Sequence, residues 1–126
     1  MASLIHKLQF KPGKRVAVLG APPGYMEWLG ALPGGIQAAT RLDGQFDIIQ
    51  AFFETREQLA AACPALLAAL AEGGFIWVSY PKQTSKRGSD LNRDVIRADL
   101  ATSGLRPVAQ VAIDDTWSAL RFKREP

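Results

Sequence analysis

Short apolar runs closed by turn residues recur along the chain. Arg15 to Gly20 reads R-V-A-V-L-G, an unbroken apolar run ended by glycine, which is the pattern of a strand buried on both faces. Phe46 to Phe53 (F-D-I-I-Q-A-F-F) and Phe75 to Tyr80 (F-I-W-V-S-Y) repeat that pattern. Between the runs the apolar spacing turns helical. Tyr25, Trp28, Leu29 and Leu32 form one stripe of a short helix that Pro33-Gly34-Gly35 ends. Leu59, Cys63, Leu66, Leu67 and Leu70 mark a longer helix. Thr55 with Gln58 three residues on is a capping box at its start. Glu72-Gly73-Gly74 is its stop, and Pro64 inside the run predicts a kink or two abutting helices near Cys63.

A third helix is expected from Asp90 or Asn92 to Ser103, with Leu91, Val95, Ile96 and Leu100 inward. Pro107 to Ile113 and Trp117 to Lys123 read as strands. Asp114-Asp115-Thr116 between them is too short for a crossover, so this pair is antiparallel. Residues 1–14 read as a polar lead-in ending in the turn Lys11-Pro12-Gly13-Lys14. Residues 36–40 are a stub at the sheet edge or an extended connector, because a parallel crossover needs about a dozen residues. The order of elements predicts an α/β fold: a Rossmann-like three-layer sandwich, its sheet mostly parallel with a C-terminal antiparallel hairpin. At 126 residues the chain is expected to form one domain, residues 1–126.

Composition narrows the function classes. Fifteen Lys and Arg against twelve Asp and Glu leave a net charge of +3. That bias is mild and lacks the basic patch interleaved with aromatics that nucleic-acid binding requires. One cysteine and one histidine exclude a disulfide framework, a multi-cysteine zinc site and a His-rich centre, and no metal is expected. No apolar stretch approaches the ~18 residues of a membrane span, and no secretory leader pattern opens the chain. The expected compartment is the cytoplasm, which the lone Cys63 suits.

Ligands of open parallel sheets sit beyond the carboxyl ends of the strands. That rim gathers Gly20, Gly24 and Tyr25 after the first strand, Glu54 after the second, and Tyr80 and Lys82 after the third. It also gathers Lys86, Arg87, Asn92 and Arg93 around the start of the third helix, and Asp114, Asp115 and Trp117 at the hairpin. Each residue has a structural reading as well. Asp90 and Asn92 suit helix N-caps, and Asp94 suits the first turn. Asp114 and Asp115 suit the hairpin turn. Trp77 and Trp117 suit the core, and Lys86 and Arg87 a solvated loop. Cys63 on the apolar stripe reads as inert core, and His6 has no metal partner in the sequence around it.

The stretches V-A-V-L-G-A-P-P-G-Y (16–25), F-D-I-I (46–49) and L-A-E-G-G-F-I-W-V (70–78), with the late antiparallel pair, resemble class I S-adenosylmethionine-dependent methyltransferases. W-V-S-Y-P-K (77–82), D-L-N-R-D-V (90–95) and V-A-I-D-D-T-W-S-A-L-R-F (111–122) resemble a family of small bacterial proteins of unassigned function, built on a truncated form of that fold. The resemblance implies a G-x-G-x-G loop after the first strand and a ribose-binding acid on the second. Gly20 and Gly24 match the outer glycines, but Pro22 stands at the middle position with Pro23 after it. Two prolines remove two N–H donors. The acid's place is near Thr40 or Arg41, and the nearest carboxylate is Asp43.

On that ground no cofactor is expected, and S-adenosylmethionine is not expected to bind. The reading favours a non-enzymatic module that takes a small anionic ligand or a protein partner at the rim. The alternatives are a divergent methyltransferase-like enzyme with Asp114 or Glu54 as acid/base, and an assembly protein that forms homo-oligomers.

Overall fold

The computed structural model describes residues 4–82 and 89–125. In chain order the elements are α1 (Leu4–Leu8), β1 (Val16–Leu19), α2 (Tyr25–Leu29), β2 (Phe46–Phe52) and α3 (Arg56–Ala69). They continue with β3 (Leu70–Pro81), α4 (Arg93–Ala101), β4 (Leu105–Ala112) and β5 (Trp117–Arg124). The five strands form one sheet in the order β1-β2-β3-β5-β4. The β1–β2 and β2–β3 ladders are parallel, while β5 runs antiparallel to both β3 and β4. Only β5 therefore points the other way, so β1, β2, β3 and β4 all send their carboxyl ends to one rim.

Side-chain alternation divides the core into two layers. Ile49, Ala51, Ile76, Val78, Leu120 and Phe122 meet Leu59, Cys63, Leu66, Ile96 and Leu100 from α3 and α4. On the other face Ile48, Phe52, Trp77 and Ala119 meet Leu8, Tyr25 and Leu29 from α1 and α2. This is the Rossmann-like α/β sandwich that the alternation of elements predicts.

Several local expectations change. The lead-in is not simply polar: Leu8 and Phe10 are buried, and the carbonyl of Leu8 accepts the Trp77 indole N–H at 2.9 Å. A buried indole needs such an acceptor, so this segment completes the core. Residues 36–40 supply one bridge, Ala39 against Ala17, rather than a strand. The α2 helix ends at Leu29, and Trp28 turns outward at 58% exposure. Pro64 does not split α3, which runs as one helix from Arg56 to Ala69. The proline sits on the exposed side, while Leu59, Cys63 and Leu66 hold both halves of the helix to the sheet. Its missing amide costs one carbonyl partner, on the solvent side.

The strand after α3 begins at Leu70, earlier than Phe75. Leu70 pairs with Phe46 and Phe75 with Ile48, so residues 71–74 bulge out of the ladder. A Cβ on Gly74 would stand 2.7 Å from the Asp47 carbonyl, which is why glycine closes that bulge. The carbonyls at the end of α3 are taken by Arg124, whose guanidinium donates to Leu70 O at 2.9 Å and Leu67 O at 2.7 Å.

Candidate functional site

The turn after β1 follows from its sequence. Gly20 adopts φ 67° and Gly24 φ 83°, left-handed values that side chains resist. A Cβ on Gly20 would also lie 3.3 Å from the Phe52 carbonyl, so the loop passes close over the end of β2. Tyr25 then turns inward. Its hydroxyl donates to Gln50 Oε1 at 3.0 Å, and Gln50 Nε2 donates to Ser79 Oγ at 3.2 Å. Gln50 and Ser79 are fully buried, so the chain ties the loop to the centre of the sheet. Burial, reinforced by the negative charge of Asp114, pushes the Tyr25 hydroxyl up to about 12.

A cavity of about 490 Å³ opens at the rim beside this loop. Its walls are Gly20 to Pro23, Phe52, Phe53, Glu54, Gln58 and Trp117. Phe52 meets Tyr25 edge-on at 4.9 Å and Trp117 at 5.2 Å, which fixes the aromatic wall. Gln58 Oε1 accepts the Glu54 amide at 2.7 Å and, more weakly, that of Thr55 at 3.3 Å, closing the capping box of α3.

A second cavity of about 690 Å³ lies between the start of α4 and the β4–β5 ladder. Tyr80, Lys82, Asn92, Arg93, Gln110 and Ser118 contribute to its lining. Asn92, rather than Asp90, caps α4, accepting the Val95 amide at 2.9 Å. Asp90 instead accepts the first amide of α3, from Arg56.

The rim residues thus divide. Gly20, Glu54 and Trp117 border the first cavity, while Tyr80, Lys82 and Arg93 border the second. Gly24 and Tyr25 shape the loop without lining either cavity. Asp114 Oδ1 accepts the Thr116 and Trp117 amides, both at 2.8 Å, and Asp115 is exposed in the same turn. Lys86 and Arg87 lie outside the described residues. Gln50, Ser79, Phe52 and Gln58 are additions that the sequence reading missed. The signal for two of them was present: Gln50 and Ser79 are lone polar residues inside runs read as doubly buried strands, where a polar side chain requires a partner.

No protein-family model and no curated protein sequence matches the chain. Solved structures do. A ribosomal protein L11 methylase from Lactobacillus delbrueckii subsp. bulgaricus superposes with a TM-score of 0.65 at 21% identity, covering 97% of this chain and 75% of that one. A complex of DhpI with S-adenosylhomocysteine gives 0.66 at 12% identity, covering 98% and 83%. A methyltransferase from Thiobacillus denitrificans with bound S-adenosyl-L-homocysteine gives 0.63 at 13% identity, covering 97% and 89%. The fold is that of S-adenosylmethionine-dependent methyltransferases.

This overturns the expectation that S-adenosylmethionine does not bind. That expectation rested on the twin prolines and the missing acid, yet nearly the whole chain superposes on proteins that hold the demethylated cofactor. Pro22 and Pro23 remove donors but leave the space: they form part of the cavity wall instead of filling it. The volume lies within the ~300–1,000 Å³ of small-molecule sites. Phe52 and Trp117 give the cavity an aromatic wall. Among the described residues, no helix is long and apolar enough to cross a membrane.

Proposed function

We propose that this chain is a methyltransferase-like protein that binds S-adenosylmethionine in the rim cavity over Gly20 to Pro23. The observation that carries the reading is the coincidence of that cavity with the end of β1, in a fold shared with methyltransferases that hold the demethylated cofactor. The cofactor, when bound, supplies a methyl group whose bond to sulfur breaks as its bond to the acceptor forms. The glycine at position 20 keeps the loop close to β2. The Tyr25–Gln50–Ser79 chain holds the loop in place. Phe52 and Trp117 wall off water.

A hydroxyl or amine acceptor loses a proton in such a transfer, and Glu54 is the carboxylate on the cavity wall suited to take it. Asp114 is less suited, because it does not line that cavity. The departure at Thr40 and Arg41, with Asp43 exposed in the next turn, leaves the ribose end with less to hold it.

Thermal unfolding with S-adenosylmethionine and with S-adenosylhomocysteine tests this reading. A ligand at a hundredfold its dissociation constant stabilises by ~2.7 kcal/mol. Ala21→Phe, which places a bulky ring on the cavity wall, should abolish the ligand shift measured relative to the variant's own unliganded melting temperature. No shift with either compound at millimolar concentration, or a shift that survives Ala21→Phe, refutes the assignment.

A further inference from the structure

We infer that the cavity between α4 and the β4–β5 ladder is a binding site for a small oxyanion-bearing molecule, a carboxylate or a phosphate ester. Lys82 and Arg93 reach it from separate elements, and Asp94 is the sole carboxylate on its wall among the described residues. The remaining polar groups are mostly donors or can act as donors. Arg93 Nη1 donates to Gln110 Oε1 at 3.4 Å, Gln110 Nε2 donates to Ser118 Oγ at 3.5 Å, and Ser118 Oγ donates to Val111 O at 3.4 Å. These bonds are all long. Charge-assisted bonds from the same nitrogens to an oxyanion would be nearer 2.7–2.9 Å and roughly twice as strong.

Ser118 is 95% buried with its hydroxyl in this chain, so the floor of the cavity is polar by construction. The Lys82 main chain is anchored at the rim, its amide donating to Thr116 O at 2.7 Å. The helix end is not what makes the site, because Asn92 already takes the Val95 amide. The two cavities stand on different neighbours: Trp117 lines the first, and Ser118, pointing to the other face of β5, lines the second. The inference therefore holds or fails independently of cofactor binding.

Titration with inorganic phosphate and with citrate at constant ionic strength, followed by amide NMR, tests it. Saturable shifts are expected at the Gln110 side-chain amide and the Lys82 backbone amide. Lys82→Gln and Arg93→Gln should each weaken binding about tenfold, as the loss of a charged hydrogen bond predicts. Arg97→Gln, elsewhere on α4, should not. Saturation by phosphate alone assigns a phosphate ester, and by citrate alone a carboxylate. Shifts that do not saturate, or that fall equally with Arg97→Gln, overturn the site. Ala21→Phe should leave these shifts intact.

Discussion

The two faces of the sheet are both packed by apolar side chains but differ in the helices that cover them and in the buried polar bonds they add. On one, α3 and α4 carry side-chain caps at their starts and lay an apolar stripe on Ile49, Val78 and Phe122. On the other, two five-residue helices cover Ile48, Phe52 and Trp77, and α2 has no side-chain cap at all. Short helices contribute little of their own stability. The second face compensates with polar pins, the Tyr25–Gln50–Ser79 chain and the Trp77 indole bond to Leu8. Apolar burial holds both faces. The second adds buried, matched donors and acceptors to that packing, and it carries the loop that edges the proposed cofactor cavity.

The largest expected effect tests the apolar face. Phe122 is fully buried in the α3–α4 layer, so Phe122→Ala should cost ~3–5 kcal/mol in urea unfolding. A loss below ~1.5 kcal/mol would mean that this layer does not depend on close packing.

The pinned face should respond to pH instead. The Tyr25 hydroxyl is raised from 10.0 to about 12 because the fold favours its neutral form. The stability it lends is therefore whole below pH ~10 and disappears as pH rises through about 12, a total of roughly 2–3 kcal/mol. Tyr25→Phe should flatten that part of the stability profile relative to the parent chain. Equal profiles between pH ~10 and ~12 would show that the hydroxyl is not buried against Gln50.

Gln50→Leu should cost ~1–3 kcal/mol, because Tyr25 and Ser79 each lose a buried partner. Adding Tyr25→Phe should recover part of that loss, with a coupling of ~0.5 kcal/mol or more. Simple additivity would mean that the hydroxyl and amide do not act as a unit.

The same contrast explains what the sequence disclosed. Strands β1, β2, β3, β4 and β5 were legible because their apolar runs are local and turn-bounded. The capping box of α3 was legible because Thr55 and Gln58 are three residues apart. Leu8 and Phe10 were not: two apolar residues in a lysine-bearing segment become core only when Trp77, 69 positions away, finds the Leu8 carbonyl. The second cavity was half legible. Lys82 and Arg93 follow from the rim rule, whereas Gln110 and Ser118 join them only through the β4–β5 pairing. The twin prolines misled because composition reports lost donors and not remaining space.

The smallest expected effect separates the faces most cleanly. Thr55 Oγ1 accepts the Gln58 amide at 3.1 Å while Gln58 Oε1 reaches back to the Thr55 amide. Thr55→Ala removes one half of that exchange and should cost ~1 kcal/mol. The loss belongs to α3 alone, so hydrogen exchange should quicken in the first turn of α3 and not at Gln50 or Ser79. Gln58 also borders the rim cavity. With its amide no longer held, that side chain should loosen, and S-adenosylmethionine affinity should fall by less than about tenfold. Unchanged exchange in the first turn of α3 would mean that tertiary packing, not the cap, starts this helix. Faster exchange at Gln50 as well would mean that the two faces are one cooperative unit and that the division between them is only geometric.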